Sequence, residues 1–150
     1  MDRLHLTLTL AQLACFLGAL MGGYAVINPA GVLRMKGFQI GEVSRRTIAE
    51  VRATYGGRVL LGHAATLAAL MQPDDRIGAC LAAALGSAWI GAAAARVISI
   101  LVDRVATWRD LRSIGLEVAL GILLWGPLWT YLRMLRRAAA LAVGGVGGEM

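Results

Sequence analysis

"AEVRATYGGRVLLGHAATLAALM", residues 49–71, sets three charges and a tyrosine at the head of an apolar run. Glu50, Arg52 and Arg58 fall within nine positions, with Tyr55, Gly56 and Gly57 between the two arginines. From Val59 to Met71 the only polar side chains are His63 and Thr66. The stretch is 23 residues long, enough to cross a hydrocarbon core roughly 30 Å thick. In lipid the backbone must satisfy its own hydrogen bonds, so the spacing predicts a helix.

Three further segments read the same way: about residues 4–27, 77–102 and 114–132. Composition supports lipid as their solvent. Hydrophobic residues make up 58% and charged residues 16% of the 150, where a soluble domain carries roughly 25% charge. The net charge of +6 is spread in short groups flanking apolar runs, as in membrane-protein loops. It does not form the tract expected of a nucleic-acid binder. The first segment exceeds the roughly 7–15 apolar residues of a signal peptide and is read as a retained helix. The expected fold is all-α, a four-helix transmembrane bundle over residues 1–132. Residues 133–150, basic and then glycine-rich, form an expected disordered tail.

The connections differ in kind. Residues 29–48 form a long basic loop, with Val32, Met35, Phe38 and Ile40 placed to dip into the interface. "QPDDR", 72–76, is a tight turn; "DRVATWRDLRS", 103–113, is a charged loop with Trp108 suited to the interface. Helix packing is expected at small residues: Gly18 and Gly22 on the first helix, Gly56 and Gly57 on the second, Gly91 on the third. So many small residues line the third helix that it is placed at the centre of the bundle. Cys15 and Cys80 lie in apolar runs and read as small packing residues. His5 and His63 are lone and read as satisfied or interfacial. No Cys/His spacing suits a metal, and no cofactor is implied.

Threading the chain through a bilayer gathers the charges. Let side A hold the N-terminus. The first helix then ends on side B, the second starts there with Glu50, Arg52, Tyr55 and Arg58, the third ends there with Arg96 and Asp103, and the fourth starts there with Glu117. Arg96 and Asp103 are seven apart and share a face, about 10 Å apart along the axis. A charge unpaired near the bilayer centre costs from about 2.5 to over 10 kcal/mol. The expectation is therefore that Arg58 or Arg96 pairs with Glu50 or Glu117, and that Glu50, Arg96 and Glu117 converge. Two meanings stand side by side: a structural network that fixes helix register, or a cavity open to side B that takes a ligand, a lipid headgroup or a proton.

"EVRATYGG", 50–57, resembles the signature of a family of small bacterial four-span proteins known only as domain of unknown function 4345. The resemblance extends to "INPAGVL" (27–33), "ARVISILVD" (95–103) and "GLEVALGILL" (115–124), covering about residues 6–132. It implies an integral membrane protein without an assigned activity, with Glu50, Arg52, Tyr55, Gly56, Gly57, Arg96, Asp103 and Glu117 as family-like positions. Arg58 departs from the pattern, which has an apolar residue there.

Three functions follow in order. The first is a structural, accessory, ligand-binding or lipid-binding membrane protein without catalytic residues. The second is a small proton- or ion-coupled transporter acting as an oligomer, though neither a midplane helix break nor an internal repeat supports it. The third is an enzyme acting on lipid or quinone, which the lack of a nucleophile–base pair disfavours. The partners expected are membrane lipid, a second copy of the chain or another membrane protein, not nucleic acid. Side B carries seven basic loop residues against five on side A, which orients side B to the cytoplasm of a bacterial inner membrane.

Overall fold

The computed structural model describes residues 3–72, 76–104 and 106–146, with backbone alone from 142 onward. Among them are six α-helices and no strand. Helix α1 is Arg3–Ile27, α2 Pro29–Met35, α3 Arg45–Glu50, α4 Arg58–Leu70, α5 Arg76–Asp103 and α6 Trp108–Val146. A π-helical segment, Val51–Gly57, joins α3 to α4. The backbone stays right-handed helical at Val51, Gly57 and Arg58, so residues 45–70 form one rod. Three helices, α1, α5 and α6, are long and apolar enough to cross a membrane by length and composition.

Local chemistry sets the element ends. Asn28 caps α2, its side chain accepting from the Gly31 amide at 2.9 Å, and Pro29 supplies a preset φ at the first position. Gly37 ends α2 with φ +96°. Its amide donates to Arg34 and that of Phe38 to Leu33, at 2.9 and 3.0 Å, a Schellman closure that needs a left-handed residue. Ser44 caps α3 by accepting from the Thr47 amide at 3.1 Å. Thr107 and Asp110 cap α6 reciprocally. Asp110 accepts from the Thr107 amide at 3.0 Å, and Thr107 Oγ1 accepts from the Asp110 amide at 3.3 Å.

The four rods pack as a ring: α1 against the second rod and α6, α5 against α6 and α4. Small residues set the crossings. A Cβ on Gly18 would strike the His63 ring, one on Gly22 the Leu60 backbone, and one on Gly56 would lie 2.7 Å from the Val26 nitrogen. On the far side a Gly86 Cβ would meet the Gly121 carbonyl at 2.8 Å. The core between them is built from Ala11, Ala14, Cys15, Leu70, Ala82, Leu120 and Leu124. Large apolar side chains point outward, among them Leu13, Phe16, Leu17 and Leu20 on α1 and Ile98, Leu101 and Val102 on α5. Water would not tolerate so much contiguous apolar surface on a monomer; acyl chains would.

Five sequence expectations need correction. Helix α5 is not central: in a ring of four each rod has two neighbours, and Gly91, Ala92 and Ala95 are exposed. Small residues run round this helix on all sides, so their spacing could not select the buried face. A Cβ on Gly91 would meet nothing within 4 Å, and on Gly57 nothing nearer than 3.9 Å, so neither is a close-packing site. The fourth helix begins at Trp108 rather than near 114, because Thr107 and Asp110 cap it. It also continues to Val146, because the alanine- and leucine-rich residues 138–142 favour helix; residues 147–150 of the expected tail lie outside the described residues. Lastly, Val32 is buried against the bundle, whereas Met35 and Phe38 are exposed.

Candidate functional site

The polar centre of side B is an ion pair between α5 and α6. Arg96 donates to Glu117 through two nitrogens, Nη2 to Oε1 at 2.6 Å and Nε to Oε2 at 3.3 Å. This two-pronged geometry is the strong form of a guanidinium–carboxylate contact. Glu117 is 6% exposed, so the pair answers the cost of placing a carboxylate there. Asp110, two turns earlier on α6, lies 3.8 Å from Arg96 Nη1.

Glu117 also lines a cavity of about 220 Å³ with Tyr24, Tyr55, Trp89, Ser113 and Lys36. Met21, Val32, Met35 and Leu116 complete its wall. Lys36 follows directly on α2. Its Nζ lies 5.4 Å from the Tyr55 ring centre, within cation–π range. It is the chain's lone lysine. Burial pushes its ammonium below the usual lysine range, as does the Arg96 charge, while Glu117 and Asp110 act the other way.

Trp89 ties this cavity to the core. Its indole Nε1 donates to His63 Nε2 at 3.1 Å, and His63 Nδ1 meets the Val59 carbonyl at 2.7 Å. An indole can only donate and a carbonyl only accept, so His63 is neutral with its proton on Nδ1. His63 is thus a satisfied core histidine wedged against Gly18.

The other sequence-chosen residues separate. Arg52 Nε donates to the Val26 carbonyl at 3.1 Å; it caps the C-terminal end of α1, where a cation is favoured. Glu50 accepts from Thr54 at 3.5 Å on its own rod and does not reach Arg96. Asp103 accepts from Ser99 at 2.7 Å and lines an open pocket with Arg96 and Asp110, but it is Asp110 that comes within ion-pair distance of Arg96. Arg58 is exposed and joins no ion pair among the described residues. The expected convergence of Glu50, Arg96 and Glu117 therefore holds for Arg96 and Glu117 alone. Tyr55 turns inward onto the cavity, whereas Glu50 and Arg58 stay on the outside of the rod.

Sequence reasoning missed Asp110, Lys36, Tyr24 and Trp89. Two signals were available. Thr107-x-x-Asp110 has capping-box spacing, which would have started α6 a turn and a half earlier and put Asp110 on the Glu117 face. Trp89 lies seven residues before Arg96 and therefore shares its face. Nothing comparable marks Lys36, which reaches the cavity only because α2 folds back under the bundle.

No curated protein and no solved structure matches the chain. A family model described as Domain of unknown function (DUF4345) matches residues 6–128, a span that takes in every side chain of this cavity. The chain belongs to that family.

Proposed function

We propose that this is a four-span membrane protein, without catalytic residues, that binds a small amphipathic molecule in the side-B cavity. The observation that carries this reading is the cavity's lining: three aromatic side chains, a lysine, a hydroxyl and a paired carboxylate around one space. At about 220 Å³ it falls below the roughly 300–1,000 Å³ of sites that enclose drug-sized ligands. It suits a small molecule, or the polar head of a larger one whose tail leaves between the helices. Lys36, Ser113 and Glu117 would orient the polar end, and Tyr24, Tyr55 and Trp89 would hold its body. The Arg96–Glu117 pair would serve the same site by locking α5 to α6.

Native mass spectrometry of the purified full chain tests this. A co-purifying molecule lost in Tyr55→Leu but kept in the exposed-site variant Arg58→Gln is the expected result. Adduct-free protein from cells and membrane extracts alike would refute it. The proton- or ion-coupled alternative draws on one feature, the π segment Val51–Gly57, since such turns recur where helices move or bind. It expects proton or ion flux through proteoliposomes. The excess of basic loop residues on side B, seven against five, favours side B in the cytoplasm, and a tail cysteine that an impermeant thiol reagent cannot reach in intact cells would reverse that.

A further inference from the structure

A second feature on side B adjoins the cavity across Met35, Ser113 and Leu116. Arg109, Arg112, Ser113 and Leu116 recur at helical spacing and form one face of α6. With Met35 and Gly115 they line an open groove of about 680 Å³. Both guanidiniums are exposed, and neither joins an ion pair among the described residues. The nearest acid in sequence, Asp110, is turned away: Thr107 and Arg96 hold its carboxylate on the other side of the helix. No carboxylate lines the groove.

Helix stability does not account for these arginines. They sit in the first turns of α6, where the helix dipole disfavours cations and favours an anion. Arg109 also lies against the end of α2. Its guanidinium occupies the space where a side chain on Gly37 would stand, and Gly37 has the positive φ that ends α2. The turn that closes α2 thus leaves room beside it for the Arg109 guanidinium. Below the arginines the groove becomes apolar: Met35 is 69% and Leu116 47% exposed. Two unmatched cations, a hydroxyl and then an apolar strip match a phosphate above an acyl chain.

We propose that this groove binds an anionic phospholipid, its phosphate on Arg109 and Arg112 and the upper part of one acyl chain along Met35, Gly115 and Leu116. The groove shares Met35, Ser113 and Leu116 with the cavity wall, but its two cations lie outside the cavity lining, so Tyr55→Leu should leave the preference for anionic lipid unchanged whatever it does to the cavity.

The test is lipid titration of the full chain in detergent by native mass spectrometry. The probes are phosphatidylglycerol and phosphatidylcholine with identical chains. Phosphatidylglycerol should bind at least tenfold more tightly, with the difference shrinking as salt rises. The double variant Arg109→Gln/Arg112→Gln should erase the preference. Arg45→Gln/Arg46→Gln, on the same side but outside the groove, should keep it. Arg109→Lys/Arg112→Lys should keep a reduced preference, which covers the case of a misfolded glutamine variant. Equal binding of the two lipids would overturn the proposal. So would equal loss in the Arg45/Arg46 variant, which would indicate a diffuse basic surface. Displacement by glycerol 1-phosphate at the lipid's own concentration would overturn it too, since the acyl chain would then contribute nothing.

Discussion

Replacing Arg96 with alanine removes the donor of two hydrogen bonds to a carboxylate that is 6% exposed. Lys36 shares the cavity with Glu117 but makes no ion pair with it among the described residues, its ammonium lying over the Tyr55 ring, and the remaining side-B arginines are committed elsewhere or exposed. Stranding one member of a buried pair costs about 3–5 kcal/mol. The Arg96 side chain is itself 26% exposed, which puts the expected loss near the lower end, about 3 kcal/mol. The reverse change should cost less. Glu117→Gln leaves Arg96 partly solvated and 3.8 Å from Asp110, so its charge keeps a partner. Replacing both, as Arg96→Met/Glu117→Leu, should cost less than the two single changes summed, with a coupling of about 1–3 kcal/mol. Using the scaling for soluble domains of this size, Arg96→Ala should lower the unfolding temperature by about 6–12 °C. Thermal unfolding in detergent can be followed by a thiol-reactive dye at the buried Cys15, with the exposed Cys80 changed to serine. If Arg96→Ala leaves the unfolding temperature unchanged, or the cycle shows no coupling, the pair is solvated. It then contributes nothing to holding α5 against α6.

Two glycines of the same helical periodicity should behave in opposite ways. Gly22→Ala drives a methyl group into the Leu60 backbone and should cost about 1–3 kcal/mol as overpacking; Gly91→Ala meets nothing within 4 Å and should be neutral or stabilise by up to about 1 kcal/mol. Equal unfolding temperatures for the two variants would contradict the ring arrangement. The lone lysine gives a pH test that needs no ligand. Glu117 helps to hold the Lys36 ammonium charged, so Glu117→Gln should lower its pKa further, and amine acylation should reach half its maximal rate at lower pH than in the parent chain. An unchanged or raised midpoint would show that Lys36 does not sense Glu117.

How far the sequence could be read depended on whether a feature was local or relational. The apolar runs are local, and lipid leaves their backbones little choice but helix, so the helical class followed from composition and length. That Arg96 needs an acid is also legible one residue at a time, because the cost of an unpaired charge is large enough to dictate the outcome. Which acid answers it is relational. Glu50, Asp103 and Glu117 all sat at the right depth. The choice of Glu117 depends on rotation about the helix axes, which small residues at several registers left open. Gly91 and Gly86 show the same limit. Both belong to small-residue rows on α5, yet a Cβ on Gly86 would run into α6 and one on Gly91 would meet nothing.

The charged opening of the second rod now separates into distinct tasks. Arg52 satisfies a carbonyl that the end of α1 would otherwise leave without a partner. Gly56 lets the rod press onto the Ala25–Val26 backbone, close enough for that arginine to reach. Tyr55 takes the inward side between them and becomes a wall of the cavity. The π turn is what these tasks share. A wider turn changes the rotation per residue, so side chains on either side of it no longer follow one straight helical face. A regular helix groups Arg52 and Tyr55 with Val59 and sets Glu50 and Arg58 opposite. The observed rod sends Arg52 to a backbone carbonyl and Tyr55 to the cavity instead. The two glycines that end the π segment cost helix propensity, and only Gly56 recovers it through contact with α1. Gly57 has no such contact, and its φ of −62° is open to any residue. Gly57→Ala should therefore be neutral or stabilise by up to about 1 kcal/mol, whereas Gly56→Ala should destabilise, and thermal unfolding temperatures that fall equally for the two variants would refute this division.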